Sequence, residues 1–152
     1  MSELRDLYQE MILDHGKRPR NFGPLPAANR HADGHNPLCG DKVTVAVLLQ
    51  DGKVADVRFT GAGCAISMAS ASLMTDAIKG RTEAELREMF RKFHTGLTAA
   101  DDAQAASLLA DLDKLAVFSG VREYPVRVKC ATLPWHTLIA ALDRAAQPAK
   151  TE

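Results

Sequence analysis

The residues of this chain best suited to chemistry are three cysteines, Cys39, Cys64 and Cys130, with Asp41 beside the first of them. An odd number of cysteines spread this widely does not read as a disulfide framework in a reducing compartment, which leaves metal binding, thiol chemistry or simple burial. Each sits at an expected change of chain direction: Cys39 in Pro37-Leu38-Cys39-Gly40-Asp41, Cys64 after Gly61-Ala62-Gly63, and Cys130 before a helix start. At a helix N-terminus the free amides and the positive dipole end favour a thiolate over a thiol, which would apply to Cys64 and Cys130. Asp41 follows Cys39 across a glycine, so its carboxylate can turn toward the same point as the sulfur. Three sulfurs and one oxygen suit tetrahedral zinc better than magnesium or calcium, which take oxygen throughout. Such a site carries a formal charge of about −2, which Arg127 and Lys129 are placed to offset. The spacings match no two-cysteine knuckle, a surface-turn role is the competing reading of Asp41, and His35 is an alternative fourth ligand. His35 and His136 otherwise read as solvated or core histidines, and Lys17-Arg18-Pro19-Arg20 as a solvated loop or a docking patch.

The elements that must position these residues follow from periodicity. The chain has 152 residues, 46% hydrophobic and 25% charged, which suits one domain over residues 1–146, with a flexible tail from 147 to 152. The 19 basic and 19 acidic side chains cancel, so no overall field favours nucleic acid or an anionic membrane. No apolar run is long enough to span a membrane and no leader pattern opens the chain, so a cytoplasmic protein is expected. Leu4, Leu7, Tyr8, Met11 and Ile12 predict an amphipathic helix over 3–15 that stops at Gly16. Residues 16–37 read as a long loop. Two strands, 43–49 and 53–60, flank an Asp51-Gly52 turn, with Ala46, Leu48, Ala55, Val57 and Phe59 expected on the apolar face. Helices are expected over 64–79, over 83–94 behind a Thr82/Glu85 capping box, and over 99–117. Residues 124–129 read as extended, and a last helix should follow Cys130 with Pro134 in its first turn. The sum is an α+β domain, a small antiparallel sheet covered by helices.

Five segments carry a resemblance over nearly the whole chain: Leu7-Tyr8 through Ile12-Leu13-Asp14-His15, Pro19-Arg20-Asn21-Phe22-Gly23, Asn36-Pro37-Leu38-Cys39-Gly40-Asp41, Gly63-Cys64-Ala65-Ile66-Ser67, and Val126-Arg127-Val128-Lys129-Cys130 through His136. Through them the chain resembles the IscU/SufU-like family of iron–sulfur cluster assembly proteins, and is most similar to its SufU branch. Lys129 stands where IscU-type scaffolds carry a histidine, and the wide gap between Cys64 and Cys130 suits the insertion that marks SufU, placed within roughly residues 95–120. The resemblance implies a SufE/IscU-like α+β fold and a zinc site made by Cys39, Asp41, Cys64 and Cys130. It also implies a SufS-type cysteine desulfurase as partner, with Cys39 accepting its persulfide sulfur in a zinc-dependent sulfurtransferase. The alternatives are a scaffold that holds a transient iron–sulfur cluster on the same cysteines, and a binding module in which zinc only supports the fold.

Overall fold

The computed structural model describes residues 2–144 and 149–150. Helix α1 spans Ser2–Lys17 and lays Tyr8, Met11 and Ile12 against the core. Gly16 does not stop it. A Cβ at this position would sit 3.2–3.3 Å from Ala65, so the glycine serves a close crossing of α1 with the start of α2. The chain leaves the helix just before Pro19, as the restriction on a residue preceding proline requires.

The expected loop over 16–37 is overturned in its second half. Arg30–Asn36 form strand β1, antiparallel to β2 over Asp41–Gln50, which pairs in turn with β3 over Lys53–Ala62. Strand β1 escapes a hydrophobic pattern because its inward residues are Ala32, Gly34 and Asn36, too small or too polar to alternate visibly. Gly34 is the close approach: a Cβ there would lie 1.9 Å from Thr137 Oγ1 of the last helix. The sheet order is β3-β2-β1-β4, where β4 is Ala149–Lys150, parallel to β1. Of the expected frayed tail, residues 147–148 and 151–152 lie outside the described residues, and Ala149–Lys150 lie in the sheet.

The β2–β3 turn is the two-residue one expected, with Asp51 at φ 55° and Gly52 at φ 77°. The apolar face is the expected one only at Val57 and Phe59. Gln50 pairs with Lys53 and Leu49 with Val54, but Leu48 pairs with Asp56, leaving Ala55 as a bulge. That extra residue shifts the register by one beyond it, so Val45 faces Phe59 and Val47 faces Val57. The core face is therefore Val43, Val45, Val47, Val54, Val57 and Phe59, while Ala46, Leu48 and Ala55 turn away from it.

Helices α2 (Ala65–Ile78) and α5 (Pro125–Leu142) pack together, α2 against β3 and α5 against β1 and β2. Helix α3 runs past its expected end, over Glu83–Thr98, behind the expected capping box. Thr82 Oγ1 accepts from the Glu85 N–H at 3.2 Å and Glu85 Oε1 accepts from the Thr82 N–H at 3.0 Å. Phe93 of α3 stacks on Trp135 of α5 at 5.1 Å.

The single helix expected over 99–117 is two pieces: α4 (Asp102–Ala110), capped by the Asp101 carboxylate, and a 3-10 segment over Asp113–Glu123. Leu109, Leu112, Leu115, Phe118 and Val121 are all buried, and their spacing of three is the 3-10 period rather than the α period. Residues 124–129 are not extended either. Helix α5 begins at Pro125, a favoured first position, so Cys130 lies in its second turn and Pro134 in its interior. Pro134 offers no N–H to the Cys130 carbonyl, and the neighbouring Ala131 carbonyl accepts from Ser70 Oγ at 2.5 Å.

Candidate metal centre

The turn Pro37–Gly40 joins β1 to β2, with Asn36 directly opposite Asp41. Gly40 sits at φ 68°, a left-handed conformation that reverses the chain without a side-chain penalty. Cys39 therefore projects from a tight hairpin tip rather than trailing a long loop. It is half-buried, whereas Leu38 beside it is 63% exposed.

Asp41, the first residue of β2, is fully buried. Its carboxylate is held from two sides. Oδ1 accepts from the Cys64 backbone N–H at 2.9 Å, and Oδ2 accepts from Asn36 Nδ2 at 3.3 Å. Gly63 makes the first contact possible, because a Cβ there would lie 2.5 Å from Asp41 Oδ1. Cys64 is the N-cap of α2 but makes no side-chain cap, so its thiol is free to serve elsewhere.

Cys130 arrives from α5 and is wholly buried, its Sγ 3.2 Å from Cys39 Sγ. Donor atoms of Cys39, Asp41 and Cys130 all lie within 4.8 Å of one another. Cys64 is outside that group. Burial, then the contacts of Cys39 and Asp41 and the nearby Cys64, push the Cys130 thiol far above its ordinary range. Crowding anionic donors around one buried sulfur is unfavourable without a cation and favourable with one.

The donor set fits zinc: two soft sulfurs with a single carboxylate oxygen, converging from a hairpin turn, β2 and helix α5. With Zn–S near 2.3 Å, two sulfurs of a tetrahedron stand about 3.7–3.8 Å apart. Cys39 and Cys130, at 3.2 Å, would open slightly around such an ion, and Cys64 would join as a fourth donor only if its sulfur moved into their group.

The other sequence candidates lie elsewhere. His35 points to the face of β1 opposite Asn36 and is outside the donor group. His136 packs edge-on against Phe90 and His94, and burial, with the nearby His94, holds its pKa below the ordinary value. Arg127 and Lys129 form no ion pair with Asp41 among the described residues. Arg18 and Arg20 are engaged with Asp14, at 3.7 and 2.7 Å. Asn36 is the site residue that residue-by-residue reasoning passed over. Its signal was its place one residue before Pro37 in the cysteine motif.

An apolar groove of about 970 Å³ runs up to Cys64 between α1, the 3-10 segment and the start of α5, lined by Tyr8, Ile12, Leu13, Ile66, Val121 and Tyr124.

Residues 7–131 match the model of the NifU-like N-terminal domain. The chain is 39% identical over 140 residues to a Bacillus subtilis protein named zinc-dependent sulfurtransferase SufU, with 90% of each chain covered. It is 35% identical over 149 residues to a Streptococcus pyogenes protein named iron–sulfur cluster assembly scaffold protein IscU, covering 96% of this chain and 89% of the relative. Among solved structures it is similar to a Fervidobacterium islandicum protein described as a scaffold of the SUF system, with TM-score 0.72 and 36% identity, covering 88% of this chain and 94% of that one. A NifU-like N-terminal domain from Brucella abortus superposes with TM-score 0.76 at 27% identity, covering 91% and 94%.

Proposed function

This chain belongs to the NifU-like N-terminal domain family of iron–sulfur cluster assembly proteins, and from that premise we propose that it is a cytoplasmic zinc-dependent sulfurtransferase. In this reading Cys39 accepts persulfide sulfur from a SufS-type cysteine desulfurase, and Cys39, Asp41, Cys64 and Cys130 hold zinc. Residues 95–120 are then the insertion of the SufU branch.

One observation carries the reading: within a cluster of converging donors, Cys39 stands on an exposed hairpin tip while Cys130 is sealed in the core. Only a reachable sulfur can meet a second protein. Exposed Leu38 beside it, and Tyr124 and Val126 at the start of α5, supply apolar surface for that protein to cover. Bound zinc keeps thiolates deprotonated and masked. The Cys39 thiolate attacks the outer sulfur of the partner's cysteine persulfide. An S–S bond forms on Cys39, the partner's S–S bond breaks, and its electron pair leaves on the partner cysteine as a thiolate. The exchange needs no external oxidant or reductant.

The test is mass mapping after incubation with a SufS-type desulfurase and cysteine. Cys39 gains about 32 Da, one sulfur atom, and Cys39→Ser no longer stimulates the desulfurase. Sulfur appearing on Cys64 or Cys130, with Cys39→Ser still stimulating, overturns the assignment. A second reading, a scaffold that assembles the cluster on the same sulfurs, is favoured by the names of several relatives. Metal and acid-labile sulfide content of anaerobically purified protein separates the two: zinc without sulfide supports transfer, and iron with equal sulfide supports the scaffold.

A further inference from the structure

We propose that Asn36 is a positioning residue of the metal centre, an inference that rests on the zinc reading above. Asn36 is 1% exposed and ends β1 one residue before the turn that carries Cys39. Every polar atom of its amide is engaged at the site. Oδ1 accepts from the Leu38 N–H at 3.3 Å, which fixes which end of the amide is oxygen and braces the turn. Nδ2 donates to Asp41 Oδ2 at 3.3 Å and lies 3.7 Å from Cys130 Sγ, close enough to donate to sulfur. One side chain thus touches the turn bearing one ligand and two further ligands directly.

Both donor contacts act in the same direction. A carboxylate left to rotate presents its oxygens at random; with Oδ1 on the Cys64 N–H and Oδ2 on Asn36, the Asp41 plane is set before a cation arrives. A bond from N–H to sulfur draws charge from a thiolate, which matters where three thiolates and a carboxylate surround one divalent ion. Partners of this kind typically change metal affinity by about 10–100-fold when removed.

The two halves of the amide can be separated. Asn36→Asp keeps an oxygen for the Leu38 N–H and removes the donor, while Asn36→Ala removes both. Loss of zinc to a chromophoric chelator should be about 10-fold faster in Asn36→Asp than in wild type. In the cobalt-loaded protein its sulfur-to-cobalt charge-transfer band should shift, as a purely structural role would not require. Asn36→Ala should show the same band shift, with a lower metal-free melting temperature from the lost turn contact. If either folded variant matches wild type in both release rate and spectrum, Asn36 does not position the ligands. If wild-type protein itself takes up neither zinc nor cobalt, the metal reading fails and this inference falls with it.

Discussion

Gly63 lies so close to Asp41 that a β-carbon on it would come within 2.5 Å of Oδ1, the oxygen that accepts from the next residue's N–H. The glycine is there for the carboxylate, not for a turn. Gly63→Ala should push Asp41 out of its place, costing about 1–3 kcal/mol of stability as an overpacked interior does. It should also quicken zinc release, measured with a chelator. Unchanged melting and release would mean the carboxylate has room to move.

Removing ligands should be graded. Cys130→Ser deletes the buried sulfur at the centre of the cluster and should abolish zinc retention and lower the melting temperature, because in the proposed site metal binding energy is folding energy. Cys64→Ser should do the same if its sulfur completes the site. Asp41→Ala should weaken zinc but leave residual binding, since water can fill the fourth position. Metal content after dialysis, with melts before and after chelation, checks all three. A wild-type melting temperature that is indifferent to zinc removal would contradict the structural part.

Arg122 should be a lock on the α3–α4 connection. Its guanidinium donates to the carbonyls of Gly96 and Ala99 at 2.8 and 2.9 Å and pairs with Asp102 at 2.7 Å. Arg122→Ala should cost about 2 kcal/mol, as expected for charge-assisted bonds to groups left unpaired. Arg122→Lys should recover little, because a point ammonium cannot span the planar fork. Denaturant titration reads both, and a loss below about 0.5 kcal/mol in Arg122→Ala would sink the lock.

Acid sensitivity should come partly from His15. It is 8% exposed, with Nδ1 2.6 Å from Ser72 Oγ, and burial, then the Arg20 charge, holds its pKa below the ordinary 6.5. The unfolded chain therefore binds the proton more tightly. Its contribution to stability is complete above 6.5 and is lost as pH falls from there through the lower folded value. His136 acts in the same sense. Melting temperature should fall as pH drops below about 6.5, less steeply in His15→Gln. Loss of metal in acid affects both proteins alike, so the difference in slope is the readout. Equal slopes would remove His15 from the account.

What the sequence alone determined was local. A capping box closes within four residues, so Thr82 and Glu85 announced α3. An Asp-Gly pair dictates its own turn, and cysteine and carboxylate chemistry named the donors Cys39, Asp41 and Cys130 that the fold brings together. The spacing of three from Leu109 to Val121 and the proline at 125 were also local signals, and they correct the expected helix over 99–117 and the expected extended run before Cys130.

The tertiary structure decided what depends on distant partners. Strand β1 has almost no hydrophobic signature, because its inner face was selected to fit beneath Thr137 and beside Asp41, not to be apolar. The bulge at Ala55 set Val45 and Val47, rather than Ala46 and Leu48, opposite Phe59 and Val57 in a hairpin whose turn was legible, since a one-residue register shift exchanges which β2 side chains share a face with them. Asn36 meets Cys130 across 94 positions of sequence, a pairing no spacing rule encodes. Short-range rules name the groups that can bind a metal; only the packing of β1 against β2 and α5 determines which of them are held ready to do so.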